Sequence, residues 1–225
     1  MTQTTINQPI SDTTTRLALT YLVREPRVKS TRKKAIVLLH GVGSNEQDLF
    51  SLANSLPDEF LIISARGQFT LGAGRYAWYN VDFSTGKPVF NAAQEASSRE
   101  VIRTFIRQVK ETYKIEEVYL GGFSQGAIMS YSIGLIHPDE VQGVIALSGR
   151  VLDEIRPIVK NDAYLKKLIV FVAHGIQDGT LSIQYARQAK DYLESLGVQL
   201  TYREYPIGHQ INTEVLQDLK SWLTN

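Results

Sequence analysis

Val118-Tyr119-Leu120-Gly121 runs directly into Gly122-Phe123-Ser124-Gln125-Gly126, and this stretch decides how the chain folds. An apolar run of strand length meets a serine bracketed by glycines. From Ser124 the spacing becomes helical, with Ile128, Tyr131 and Leu135 on one face, and it ends at His137 before Pro138. Strand, sharp turn and helix in this order are the context that gives a G-x-S-x-G sequence meaning. A serine on so tight a turn takes a strained backbone conformation. Its flanking positions must be glycine so that backbone can pass close to backbone. The turn also lifts the hydroxyl clear of the sheet at a helix N-terminus, where free N–H groups favour negative charge.

Working outward, residues 35–39, 60–65, 141–147 and 168–173 are near-continuous apolar runs, as expected of strands buried on both faces of a parallel sheet. Residues 17–23 read as a first strand and residues 198–205 as a more polar strand near an edge. Helical spacing falls between them, over residues 96–113, 183–196 (stopped by Gly197) and 211–223. The expected fold class is α/β, with a mostly parallel central sheet of about seven strands flanked by helices on both faces. Residues 1–15 are polar and Thr-rich and read as a flexible tail, leaving residues 16–225 as a single domain. Residues 68–93 show no period and hold several glycines and aromatics, the mark of a functional loop in a compact domain.

A serine hydroxyl needs a base, and the base needs an acid to orient it. His209, in Pro206-Ile207-Gly208-His209, follows the last strand, and Asp178, in His174-Gly175-Ile176-Gln177-Asp178, follows the strand before it. The order Ser124, Asp178, His209 is that of the α/β-hydrolase fold. Asp153 and Asp162 lie in a polar connection farther from any buried strand end. Of the other three histidines, His137 ends a helix and His174 reads as structural, beside the acid loop.

His40 opens the turn His40-Gly41-Val42-Gly43-Ser44 after residues 35–39. A His-Gly-x-Gly turn here supplies one oxyanion donor and the residue after the nucleophile supplies the other, each lowering the barrier by roughly 3 kcal/mol. The two backbone N–H groups are assigned to Val42 and Gln125. Together with Asn45-Glu46-Gln47-Asp48-Leu49, Gly122-Phe123-Ser124-Gln125-Gly126-Ala127 and Ser148-Gly149, this turn resembles the phospholipase/carboxylesterase family of α/β-hydrolases over roughly residues 17 to 223. That family includes bacterial carboxylesterases and eukaryotic acyl-protein thioesterases. The resemblance implies a cofactor-free hydrolase of short- to medium-chain acyl esters, sometimes of lysophospholipids or acyl thioesters, and often a homodimer. Phe69, Trp78 and Tyr79 are then candidates for lining an acyl pocket, with core packing the competing reading. Gln68 stands where the family carries proline, and the longer apolar loop of the thioesterases is not identifiable.

Composition narrows the rest. The chain has no cysteine, which excludes a disulfide framework, a thiol nucleophile and cysteine-ligated metal, and the mechanism requires no metal. A net charge of +1 leaves no clustered excess of Lys and Arg for nucleic acid, and the basic run from Arg24 to Lys34 reads as a solvated loop. No apolar stretch approaches the roughly 20 residues that span a bilayer, so no membrane insertion is expected and the cytoplasm is the default location. The expected partner is a small-molecule ester. The rival from another class is a binding protein that keeps the fold without catalysis, and such proteins typically lose a triad member. A peptidase is disfavoured because no propeller or large cap domain is encoded.

Overall fold

The computed structural model describes residues 17–82 and 89–224. The expected tail at residues 1–15 lies outside the described residues. In chain order the first strands are β1 (Tyr21–Arg24), β2 (Lys34–Leu39) and β3 (Phe60–Ala65). Four short strands follow: β4 (Phe69–Gly72), β5 (Arg75–Ala77), β6 (Val81–Asp82) and β7 (Val89–Phe90). The last four are β8 (Glu117–Phe123), β9 (Gly143–Leu147), β10 (Ile169–Gly175) and β11 (Gln199–Tyr205). The helices are α1 (Glu46–Phe50), α2 (Ala92–Tyr113), α3 (Gln125–Ile136), α4 (Ile183–Leu196) and α5 (Thr213–Thr224).

Seven strands form the central sheet in the order β1-β3-β2-β8-β9-β10-β11. All neighbours are parallel except β1, which runs antiparallel to β3. The apolar runs are long because both faces are covered. Alternate side chains of a strand point to opposite faces. Ile36 and Leu38 therefore join Phe60, Ile62, Ile145 and Leu147 on one side, where Leu49 of α1 and Val215, Leu219 and Leu223 of α5 close over them. Val37 and Leu39 join Leu61, Ile63, Val144 and Ala146 on the other, under α2, α3 and α4. On α2 the stripe Ile102, Phe105, Ile106 and Val109 is wholly buried, at about 1.5–3 kcal/mol for each large side chain. The central helix α3 is buried nearly all round, from Gln125 to Leu135.

Several boundaries shift by a few residues from the sequence expectation, and two of the shifts have a local cause. Leu17 and Leu19 are buried, yet β1 begins only at Tyr21, because Tyr21 pairs with Ala65 and β3 ends there. Helix α2 begins at Ala92, earlier than its apolar stripe, because the Asn91 side chain accepts a hydrogen bond from the Gln94 N–H and caps it. Since the central strands are parallel, their carboxyl ends share one edge, where ligands bind in open α/β sheets. The turn after β2, Ser124 after β8, Ser148-Gly149 after β9 and the loops after β10 and β11 all emerge there.

Candidate active site

Ser124 sits between β8 and α3 with φ +54° and ψ −116°, a strained region for any residue but glycine. Its backbone N–H donates to the Leu147 carbonyl at 2.9 Å, which ties the turn to the next strand. Backbone crowding explains the flanking glycines. A Cβ at Gly122 would lie 2.3 Å from the Gly126 carbonyl carbon, and one at Gly126 would lie 1.8 Å from the Leu39 carbonyl oxygen. The serine is 9% exposed, enough for its hydroxyl to meet a ligand from the open edge.

Asp178 and His209 are joined directly, His209 Nδ1 lying 2.7 Å from Asp178 Oδ2. The other carboxylate oxygen accepts the backbone N–H groups of Thr180 and Leu181, both at 2.8 Å, so the acid is locked in its own loop. His174 stands behind it, fully buried. Its Nε2 is 2.7 Å from the Leu181 carbonyl and 3.3 Å from Asp178 Oδ2, so a single N–H is shared between loop and acid. The ring of Phe123 packs against His209 with centroids 4.7 Å apart, which sets the imidazole beside the serine turn. Among the described residues the Ser124 hydroxyl makes no hydrogen bond of its own. Such bonds are commonly long in free enzymes and close in the reacting complex.

The turn after β2 faces the serine from the other side, since a Cβ at Gly41 would lie 3.4 Å from Ser124 Cβ. Gln125 is the first residue of α3, so its backbone N–H has no intrahelical acceptor. The Val42 N–H has no acceptor among the described residues. His40 fixes this turn from inside: its Nδ1–H donates to the Gly41 carbonyl at 2.7 Å and its Nε2 accepts the Gly67 N–H at 2.9 Å. That pattern requires the neutral ring, and burial pushes the His40 pKa below its ordinary value, against the opposing effect of the Gly41 bond. Burial lowers His174 likewise.

These two imidazoles bear on stability. With folded pKa values below the unfolded value of about 6.5, the unfolded chain takes up protons first as pH falls. Their contribution is complete above about pH 6.5 and drains away below it, toward the lowered folded values. The melting temperature is therefore expected to decline between about pH 7 and pH 5.5, before carboxylates dominate. A melting temperature that stayed flat through that window would contradict the neutral-ring assignment.

Sequence reasoning placed Gln125 by its backbone and missed its side chain. Gln125 Oε1 accepts the Trp78 N–H at 2.8 Å and its Nε2 donates to the Tyr79 carbonyl at 2.7 Å. Trp78 in turn donates its indole N–H to the His40 carbonyl at 2.9 Å. Trp78 and Tyr79 are 0% and 2% exposed, so here the structure departs from the expected lining role: both rings are core anchors that hold the site loop. Phe69, on β4, is only half-buried. Gln68 donates to Ser98 Oγ at 2.8 Å, and the Ser98 hydroxyl donates to the Trp78 carbonyl. Gln125→Ala would orphan two buried backbone groups and is expected to cost about 2–4 kcal/mol. Thermal unfolding checks this; an unchanged melting temperature would refute it. A second missed pair, Arg66 and Glu46, closes a two-pronged ion pair with Nε–Oε2 at 2.6 Å, which holds Glu46's carboxyl below the usual carboxylate range. No spacing in the sequence announces either link.

A cavity of about 240 Å³ opens beside His209, with Leu49, Leu52, Phe123 and Ile211 among its walls. Its apolar residues come from α1 and the turn after it, the end of β8 and the loop before α5, not from the segment that the aromatic pattern suggested.

The family profile described as Phospholipase/Carboxylesterase matches residues 22–225. The chain belongs to the phospholipase/carboxylesterase family. Ester hydrolysis by a serine hydrolase is accordingly its chemistry, on an α/β-hydrolase fold. It is similar to a probable carboxylesterase SOBER1-like of Arabidopsis thaliana, 28% identical over 209 residues, covering 86% of this chain and 79% of that one. It is similar also to acyl-protein thioesterase 1 of Kluyveromyces lactis, 29% identical over 210 residues, with 85% and 91% covered. Among solved structures, a carboxylesterase from Mesorhizobium loti superposes with TM-score 0.80 at 22% identity, covering 96% of this chain and 97% of that one, which speaks to the fold. No helix among the described residues is long and apolar enough to cross a membrane.

Proposed function

We propose that this member of the family hydrolyses short- to medium-chain carboxylic esters by two-step acyl transfer, with Ser124 as nucleophile, His209 as base and Asp178 as orienting acid. The observation that carries the reading is the 2.7 Å Asp178–His209 hydrogen bond at the same sheet edge as a serine held at φ +54°. His209 Nε2 takes the hydroxyl proton as Ser124 Oγ attacks the carbonyl. Asp178 holds Nδ1–H and stabilises the imidazolium that forms. The Val42 and Gln125 N–H groups receive the oxyanion. His209 returns the proton to the leaving alcohol, and water then repeats the sequence to free the acid and Ser124. The acyl chain enters the cavity beside His209. At about 240 Å³ that cavity is smaller than the roughly 300–1,000 Å³ of sites for drug-sized ligands, which supports a short chain. A cytoplasmic homodimer belongs to the same reading, and sedimentation velocity measures its oligomeric part.

A p-nitrophenyl ester series of increasing acyl length tests the assignment, with Ser124→Ala as control. Expected is a maximum of kcat/KM at short chains and no catalysed turnover in the variant. A maximum at long chains, or a preference for thioesters, would replace this reading with a lysophospholipase or acyl thioesterase using the same residues.

A further inference from the structure

The oxyanion turn has a cation packed beside it. Arg75 lies on β5, and that strand is docked onto the turn by two backbone hydrogen bonds, Gly43 N–H to the Tyr76 carbonyl and Tyr76 N–H to the Ser44 carbonyl, both 2.8 Å. Its guanidinium covers Gly43: Nη2 and Nε lie 3.4 and 3.7 Å from where a Cβ would stand there. Gly41 turns toward Ser124, Gly43 turns toward Arg75, and Val42, with its free N–H, lies between them. Seven other arginines among the described residues pair with carboxylates, Arg66 on the neighbouring strand end among them. Arg75 is exposed and has no carboxylate partner among the described residues.

We propose that Arg75 is a specificity-determining residue that selects esters bearing a carboxylate a few bonds from the scissile carbonyl. The inference rests on the esterase reading above. Two residues of turn span at most about 7 Å, so a substrate whose carbonyl oxygen sits on the Val42 N–H brings such a group within reach of the guanidinium. A planar guanidinium matches a carboxylate two-pronged, which a lysine ammonium cannot do. An exposed, unpaired charge also raises the local concentration of oppositely charged substrate.

The experiment compares charged and neutral esters of matched size. On the acyl side these are mono-p-nitrophenyl adipate and p-nitrophenyl hexanoate; on the alcohol side, 4-acetoxybenzoate and phenyl acetate. In Arg75→Gln the charged-to-neutral ratio of kcat/KM is expected to fall about tenfold on at least one pair, mainly through KM, the scale of one lost charge-assisted hydrogen bond. Arg75→Lys should retain part of the ratio. Arg107→Gln, which removes the same charge from the exposed face of α2, should leave it unchanged. Added salt should narrow the ratio in the native enzyme and not in Arg75→Gln. A ratio equal in native enzyme and Arg75→Gln on both pairs overturns the proposal while leaving the esterase reading intact. Failure of the native enzyme on all four esters overturns the esterase reading and this one with it.

Discussion

Ser124→Gly is expected to abolish ester hydrolysis and at the same time raise the melting temperature. The first effect follows from the assigned chemistry: without the hydroxyl no acyl-enzyme forms, and a loss of about 10⁴–10⁶ in kcat is the scale for a nucleophile that acts as one unit with its base. The second follows from the backbone. A non-glycine residue at φ +54° and ψ −116° carries strain of about 1–3 kcal/mol, and glycine carries none there. Against this stands the greater entropy of glycine in the unfolded chain, about 0.5–1 kcal/mol. No helix cap is sacrificed, because the Ser124 side chain makes no capping bond to α3. The net gain is about 1 kcal/mol, or roughly 2–4 °C in a chain of this size. Ester kinetics and calorimetry on one preparation read both quantities. A variant equally inactive but less stable than the native protein would mean that the turn is not strained by its serine.

The same contrast between local and distant causes explains what could be read from the residues alone. The sheet was legible because strands covered on both faces carry continuous apolar runs, as in Ala35 to Leu39 of β2 and Phe60 to Ala65 of β3. Ser124 and Asp178 stood out because each follows such a run by a few residues, and His209 because it follows the last, more polar strand in the order the fold requires. Residues 68–82 resisted because their order is imposed from elsewhere. The hairpin of β4 and β5 has mostly exposed or half-buried residues and a register shift between Thr70 and Gly72, so it leaves no periodic trace. What seats the segment is the Gln125 amide, 46 and 47 positions downstream, and the Gly43–Tyr76 and Ser44–Tyr76 bonds. A tryptophan and a tyrosine in a loop suggest a ligand wall as readily as a core, and only their burial separates the two. The Arg66–Glu46 pair has the same character, being a contact between the residue after β3 and the first residue of α1 that no spacing rule connects.

Gly126→Ala should be the most damaging glycine-to-alanine change among the described residues, costing about 4 kcal/mol or more and leaving little folded protein at physiological temperature. Overpacking a core side chain is usually relieved by rotamer changes. Here the new Cβ would meet rigid backbone at the end of β2: the Leu39 carbonyl oxygen at 1.8 Å, the Leu39 carbonyl carbon at 2.4 Å and the His40 carbonyl oxygen at 2.8 Å. Relief requires moving the first turn of α3 away from β2. That helix is buried nearly all round and cannot shift alone, and Gly122 presses on the same turn from behind. Whatever protein survives should also lose activity, because the displaced segment carries the Gln125 N–H and pushes on the turn that carries Val42. Gly179→Ala is the internal control, since its Cβ would meet nothing within 4 Å although it adjoins Asp178. Thermal unfolding of both variants, with yield of soluble protein, tests the contrast. Equal stability of the two would mean that α3 can slide over the sheet, and the rigid elbow on which the proposed chemistry depends would have to be abandoned.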